Sequence, residues 1–337
     1  MNGLNPRKCF GRVSRSRKRN EKGIFMETIY LNHPIDKGNL QILPTVMALG
    51  FFDGVHKGHQ AVIGVATEKA KELGTTVSVM TFNPHPKEVL RKQVDKMNYI
   101  TPLSEKVKKI EQLGVDTLYI VHFTREFANL TPQEFVDDYL IDMNVVHAVA
   151  GFDFTYGQLG KGTMETLPFH ARNRLSATIV EKLETDNEKV SSSRIRQLLD
   201  NGEVESVTEL LGESYCLIGT VVDGEKRGRT IGFPTANIQP KDRYIIPKTG
   251  VYAVTLMIKD EEFSGVCNVG HKPTFHHKMN EPTIEVHLFS FDRDIYGEEV
   301  KLSWHYRIRD EQKFFNIDEL IKQINLDKKK AMSLLPS

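Results

Sequence analysis

The sequence predicts an α/β domain built on a parallel sheet, followed by a small antiparallel β-barrel. Three observations carry that expectation. From Met26 to about Leu183, strand-like and helix-like patterns alternate, which argues for a parallel sheet covered by helices. From Tyr215 onward, strand-length patterns recur roughly every ten residues between turns rich in glycine, proline and charge, the spacing of a small barrel. The length of 337 residues makes two domains the default.

Composition narrows the class. Hydrophobic and charged fractions of 39% and 26% are those of a soluble globular protein. The formal charge of +1 is unevenly spread: residues 1–25 hold eight basic residues against Glu21 alone, which leaves −6 for the rest (37 basic, 43 acidic). The body is mildly acidic and gives no global reason to bind nucleic acid. No apolar run reaches membrane-spanning length. Cys9, Cys216 and Cys267 are odd in number and widely separated, so no disulfide framework is indicated and a reducing cytoplasm is the expected compartment.

Residues 1–25 lack apolar periodicity, and no signal-peptide core follows their arginines. A basic arm of this kind suits nucleic acid or targeting; the favoured expectation is a disordered extension ahead of a natural start at Met26. Met26 opens Glu27–Leu31, the first expected strand. Thr45–Leu49 is a short apolar run that reads as a buried strand, and Gln60–Leu73 carries Val62, Ala66, Ala70 and Leu73 at helical spacing. Between them lies Gly50-Phe51-Phe52-Asp53-Gly54-Val55-His56-Lys57-Gly58-His59. The two histidines and Gly58 therefore fall where a strand turns into a helix, a natural anion site because the first helical N–H groups lack partners. Read alone, His-x-x-His is equally an incidental pair. A zinc site lacks a third ligand nearby.

Thr76–Phe82, Val115–Phe123 and His147–Phe152 read as further strands, with helices over Ser104–Leu113 and from Thr131, whose Thr-Pro start is a helix cap. In such sheets ligands bind beyond the carboxyl ends of the strands. Those positions hold Asn83-Pro84-His85-Pro86 and Asp153-Phe154-Thr155-Tyr156-Gly157. Ser191-Ser192-Ser193-Arg194-Ile195-Arg196 then opens another helix, ending near Asn201-Gly202. Serines there are ordinary caps, but an arginine one turn in suits a triphosphate.

Strand, Gly-Phe-Phe-Asp-Gly, His-x-Gly-His and amphipathic helix together resemble the nucleotidylyltransferase superfamily. With Thr81–Pro86, Gly151–Gly157 and Ser191–Arg196, in order and spacing, the chain is similar to prokaryotic bifunctional riboflavin kinase/FAD synthetases. Ser193 stands where threonine is usual, and Lys161 where many relatives have arginine. The resemblance implies a Rossmann-like domain in which His56, His59 and Arg196 stabilise the phosphates of ATP. Gly58, Ser191, Ser192 and Ser193 would hold phosphate, while Asn83 and Asp153 would position substrate.

Beyond a short helix over Glu203–Leu211, strands are expected at Cys216–Val222, Val251–Ile258, Glu262–Asn268, Thr283–Phe289 and Val300–Tyr306, with a final helix at Ile317–Ile324. Gly228-Arg229-Thr230-Ile231-Gly232-Phe233-Pro234-Thr235-Ala236-Asn237 lacks the Gly-Lys-Ser/Thr of a P-loop and on its own would be a polar connection. Its Pro-Thr-Ala-Asn resembles the riboflavin kinase signature, as do Gly250–Val254, Asn268–Phe275 and Arg309–Phe314. The resemblance implies that Gly228, Gly232, Thr235 and Asn237 bind ATP, that Thr235 and Asn237 hold Mg²⁺, and that Arg309 positions substrate. Within Thr283–Phe289, Ile284, Val286 and Leu288 alternate with Thr283, Glu285 and His287. Parity alone makes Glu285 a solvent-facing residue; the resemblance makes it the general base on the riboflavin 5′-hydroxyl.

The expected organisation is an extension (1–25), an FMN adenylyltransferase domain (26–188), a helical connection (189–212) and a riboflavin kinase domain (213–330). The implied ligands are riboflavin, FMN, FAD, ATP and Mg²⁺, with no membrane. Two rivals stay open: a flavin- or nucleotide-sensing regulator on the same scaffold, and an enzyme with one active half.

Overall fold

The computed structural model describes residues 14–19, 25–36, 42–91, 96–185, 188–224, 232–270 and 282–335. The chain divides into two compact units, residues 1–97 with 103–189, and residues 98–102 with 190–337.

The first unit is a seven-stranded sheet. Its strands are β1 (Ser14–Arg19), β2 (Phe25–Leu31), β3 (Thr45–Leu49), β4 (Thr76–Asn83), β5 (Thr117–His122), β6 (Val145–Gly151) and β7 (Ser176–Val180), in the order β1-β2-β5-β4-β3-β6-β7. All neighbours from β2 to β7 are parallel, as the alternation of strands and helices requires. Central β3 is buried at every residue, which explains its unbroken apolar run. Helix α1 (Lys57–Leu73) lays Val62, Ile63, Ala66 and Ala70 on one face of the sheet, against Val46, Ala48, Val77 and Val79. The other face packs on Phe127 and, from a segment that starts at the expected Thr131 cap, a capping box closed by Glu134, on Phe135, Tyr139 and their neighbours. A second helix, α2 (Leu103–Gln112), adds Ile110 to the α1 side.

Two elements differ from expectation in this unit. Strand β7 was not foreseen; its residues are mostly part-exposed, so it shows no buried run. The expected disorder of residues 1–25 does not hold for Ser14–Arg19, which pair antiparallel with β2. Edge pairing is made by main-chain groups and places no demand on side-chain hydrophobicity, so a basic segment without a pattern can still supply an edge strand. Residues 1–13 and 20–24 lie outside the described residues.

The second unit starts with helices α3 (Ser192–Asn201) and α4 (Val204–Leu211), each closed by a left-handed glycine, Gly202 and Gly212. Ile195, Leu199, Val207 and Leu210 join the core of a closed six-stranded barrel. Its strands are β8 (Tyr215–Val222), β9 (Ala236–Pro240), β10 (Gly250–Ile258), β11 (Glu261–Gly270), β12 (Thr283–Leu288) and β13 (Glu299–Arg309), in the order β8-β9-β12-β11-β10-β13, with β13 returning to β8. Every pair is antiparallel. Trp304, Tyr252, Leu217, Cys267 and Val286 fill the interior. Closure needs β9, which the sequence hides: it is short, starts inside Pro-Thr-Ala-Asn and ends on Pro240.

The last helix, α5 (Ile317–Leu334), runs well beyond the expected Ile324, because Asn316 caps it and Ala331 and Leu335 still bury apolar surface past the lysine run. It lies on the outside of the barrel, against Val251, Ala253, Val266 and Phe289. That outer face sets up the site described below.

Because β1 is the edge strand and, among the described strands, pairs with β2 alone, truncation at Met26 is expected to preserve the fold. Circular dichroism should be unchanged per residue, with melting lowered by no more than about 5 °C, the scale of a ~1 kcal/mol loss. Failure of the truncated chain to fold would make the basic strand essential.

Candidate active sites

In the first unit the sheet has a switch point. From β3 the chain continues to β4 on one side, and later returns to place β6 on the other. A crevice opens where such connections diverge, beyond the carboxyl ends of β3 and β6. Gly50–His59 follows β3, and Phe152–Gly157 follows β6. The loop into α1 is bent through positive φ at Phe52 (56°), Gly54 (92°) and Val55 (44°). Two of these residues are not glycine and one is β-branched, so the loop holds backbone strain.

His56 is the N-cap of α1, and its Nδ1 accepts the His59 backbone N–H at 3.3 Å. With Nδ1 an acceptor, the neutral ring carries its proton on Nε2 and can donate from there. The His59 ring stacks on His56 with centroids 3.6 Å apart, and Phe52 meets it edge-on at 5.2 Å. The His59 Nδ1 is buried without a hydrogen-bond partner. Burial, then the charge of Lys189, pushes His56 down to about 4. Burial, then His56, Lys106 and Lys189, holds His59 well below the ordinary imidazole value. Both rings are therefore neutral donors at pH 7, placed beside the open amides of the first helical turn, which includes Gly58.

Asp153, after β6, is bonded to Lys189, whose ammonium also lies 4.4 Å from the Phe152 ring. Asn83 ends β4, and His85 caps the next helical turn by accepting the Lys87 N–H. Lys106 and Lys189 were not singled out from the sequence. Lys106 did leave a signal, since it sits three residues after Leu103 and four before Ile110, inside the apolar stripe of α2.

In the second unit Ser191 caps α3 by accepting the Arg194 N–H at 3.2 Å; Ser192 and Ser193 occupy the first turn. Arg196 donates to the Asn98 carbonyl at 2.8 Å, so its guanidinium tethers residues 98–102 to α3.

The barrel brings its candidates together by register. Asn237 pairs with Glu285, Glu285 with Asn268, Asn268 with Val251, and Val251 with Arg309. Directly paired residues point to one face, so these five side chains form a belt across five strands on the outside of the barrel. The parity reading of Glu285 was sound: Ile284, Val286 and Leu288 face the core. Yet the outer face is not open solvent, because α5 roofs it. Thr235, Asn268, Glu285, His287 and Arg309 line a cavity of about 380 Å³ whose far wall is Phe314, Leu320, Ile324 and Asp327. Asp327 is buried and takes the Arg309 guanidinium on both oxygens at 2.8–3.1 Å, with Gln323 as a further donor. Arg309 also donates to the Asp310 carbonyl, so it walls the cavity as an anchored ion pair.

A second cavity, of about 450 Å³, is lined by Pro234, Thr235, Val286, Phe291, Asp292 and Tyr296. Thr235 lines both. Gly224 leaves the space beside Asn237: a Cβ there would stand 2.0 Å from the Asn237 amide. A Cβ built at Gly232 would meet no described atom within 4 Å, and its φ of +85° lies in the left-handed region that favours glycine. Gly228 lies outside the described residues. Among the described residues no cluster of three or more His, Cys, Asp or Glu could hold a metal, and no helix is long and apolar enough to cross a membrane.

Fold and sites together define a two-domain nucleotide-dependent transferase. Residues 40–194 match the FAD synthetase family and residues 211–335 the riboflavin kinase family. The bifunctional riboflavin kinase/FMN adenylyltransferase of Bacillus subtilis (strain 168) is 51% identical over 308 residues, 91% of this chain and 98% of that one. Its counterpart in Listeria monocytogenes is 46% identical over 303 residues, 90% and 96% of the two chains. A crystal structure from Streptococcus pneumoniae, described as a macrolide-efflux protein, superposes with a TM-score of 0.84 at 38% identity, covering 90% of this chain and 98% of that one. The chain belongs to the family of bacterial bifunctional riboflavin kinase/FMN adenylyltransferases.

The depressed His56 pKa has a consequence for stability. The unfolded chain takes up the proton near 6.5, the folded chain only near 4. The stabilisation is thus fully present above 6.5 and is lost as pH falls towards 4. His56 should contribute about 2 kcal/mol to the drop in unfolding free energy between pH 7 and pH 5. Urea unfolding of the wild type and of His56→Asn, which retains a capping side chain, measures this; equal pH slopes would show that His56 is not held neutral.

Proposed function

We propose that the chain makes FAD from riboflavin in two steps, one in each unit: 26–188 adenylylates FMN, with 189–212 supplying further phosphate-binding candidates, and 213–330 phosphorylates riboflavin. The observation that carries the kinase assignment is the belt beneath α5. Glu285 sits in the roofed cavity, flanked by Asn237 and Asn268, and Thr235 is shared with the second cavity. A hydroxyl acceptor beside Glu285 and a nucleotide in the second cavity meet at Thr235.

In this reading riboflavin occupies the 380 Å³ cavity with its 5′-hydroxyl at Glu285. The carboxylate accepts the hydroxyl proton, the oxygen forms a bond to the γ-phosphorus of ATP, and the bond to ADP breaks. Phe291, Ile295 and Tyr296, in a lining that also carries Asp292, Arg293 and Asp294, offer the apolar and aromatic surface a purine takes. Thr235 and Asn237 offer neutral oxygens, a donor set that fits Mg²⁺ arriving with the nucleotide, since Mg²⁺ keeps waters and takes few protein ligands. Bound there, it would neutralise charge on the phosphates. Arg309 positions substrate indirectly, by anchoring the roof.

In the first unit an FMN phosphate oxygen attacks the α-phosphorus of a second ATP, and pyrophosphate leaves. The step needs no protein nucleophile. Neutral His56 and His59 donate to the phosphates next to the first-turn amides at Gly58, and the burial of the two imidazoles strengthens each bond. Ser191, Ser192, Ser193 and Arg196 are retained as phosphate-binding candidates, and Gly228 and Gly232 as ATP-loop candidates, on the strength of their motifs. Asn83 and Asp153 are retained as substrate-positioning candidates. Among the described residues Cys216 and Cys267 form no disulfide, which suits a reducing cytoplasm.

The two chemistries are expected to be separable. His59→Ala should lower FAD formation on the order of 10²–10³-fold, with FMN formation intact and FMN accumulating. Glu285→Gln should lower FMN formation roughly 10²–10⁴-fold while still converting supplied FMN to FAD. Chromatography of products from riboflavin or FMN with ATP and Mg²⁺ reads both. Loss of both activities in a folded Glu285→Gln protein would require a shared site. Wild-type protein that makes FMN only, or neither product, would favour a single active half or a sensor.

A further inference from the structure

Lys106 is buried at 2% exposure on α2, an uncommon place for an ammonium. Its Nζ donates to the Phe51 carbonyl at 2.8 Å and stands 4.0 Å from the centre of the Phe51 ring. The same carbonyl already accepts Thr81 Oγ1 at 2.8 Å. Satisfying that oxygen therefore does not require a lysine, and an apolar side chain would avoid burying a charge. What the lysine adds is a cation and a second clamp on the strained loop between β3 and α1. The charged groups facing it are Asp53 on that loop, whose carboxylate favours the ammonium, and His59 at the start of α1, which Lys106 helps to keep neutral.

We propose that Lys106 is a positioning residue for adenylyl transfer, clamping the Phe51 carbonyl and holding a fixed positive charge behind His59. The clamp sets where the two histidines and the first helical amides stand. Together with burial and His56, the charge helps keep His59 a neutral donor, and it raises the electrostatic potential where phosphate negative charge gathers, which stabilises that charge. The inference rests on the assignment of adenylyl transfer to this unit. Burial pushes Lys106 down to about 8, with Asp53 acting against that, so the charge titrates within an accessible range.

The test follows FMN conversion to FAD against pH from 7 to 10 with ATP and Mg²⁺, in wild type, Lys106→Met and Lys106→Arg. Circular dichroism and thermal melting of the same proteins serve as the folding control, and riboflavin phosphorylation as the control for the second unit. Wild type should lose activity above about pH 8. Lys106→Met should be slower at pH 7 on the order of 10²-fold, mainly in kcat, and lack that alkaline limb. Lys106→Arg, charged throughout, should recover part of the rate and also lack the limb. A limb shared by wild type and Lys106→Arg, or wild-type rates in folded Lys106→Met, would overturn the proposal. If Lys106→Met does not fold, the comparison of wild type with Lys106→Arg decides alone. Wild type that forms no FAD at any pH would instead defeat the underlying assignment.

Discussion

The barrel site depends on one ion pair. A closed barrel has a filled interior, so a ligand cavity must be built outside it or at its ends. Here the outer face of β9, β12, β11, β10 and β13 is converted into a cavity wall by laying α5 across it. The Arg309–Asp327 pair holds that helix at the level of the belt. Arg309 comes from the end of β13 and Asp327 from the third turn of α5, so the pair fixes both the height and the rotation of the roof. The apolar contacts of Ala331 and Leu335 with Val251 and Phe289 supply area, but apolar packing tolerates sliding where a bidentate guanidinium–carboxylate contact does not. Register then does the rest: with Asn237, Glu285 and Asn268 locked side by side, Glu285 cannot shift along the barrel without slipping three strands at once.

The first unit works from the opposite direction. Its donors are arranged at the start of a helix, and their environment strips protons from both histidines. Neutral imidazoles, unpaired helical amides and one buried ammonium are positioned before substrate arrives, so little reorganisation is required when charge moves among phosphates. The strained loop at Phe52 and Val55 is held by the contacts of Thr81 and Lys106 on the Phe51 carbonyl and by Gln60 on the Val55 carbonyl.

Most of the parallel sheet was legible because its strands are buried on both faces and its helices carry a clear apolar stripe. Thr45–Leu49 was placed to the residue, and so was the end of α1, whose start lies three residues before the expected Gln60. β1 and β7 were not, because strands at the sheet edge owe their pairing to main-chain groups and leave little side-chain pattern. In the barrel, the alternation around Glu285 correctly assigned inside and outside. It could not show that the outside is covered, since the cover comes from a helix some thirty residues later whose second half is masked by lysines. His56 and His59 were readable from their spacing against the strand–helix junction. Lys106 was visible only as a charged residue in an apolar stripe, and its meaning required the Phe51 carbonyl to be seen in front of it. Arg309 was found by motif, and the structure adds the ion pair with Asp327 that the motif did not show.

The most direct measurement is the riboflavin dependence of phosphorylation by Asp327→Ala protein, with FMN adenylylation as an internal control. Removing the carboxylate leaves the Arg309 guanidinium uncompensated and frees the roof. The account predicts that kcat/KM for riboflavin falls by at least about tenfold while conversion of supplied FMN to FAD is unchanged, because a cavity wall, not the reacting carboxylate, has been displaced. An unaltered kcat/KM for riboflavin in the folded variant would contradict the claim that this ion pair builds the acceptor site.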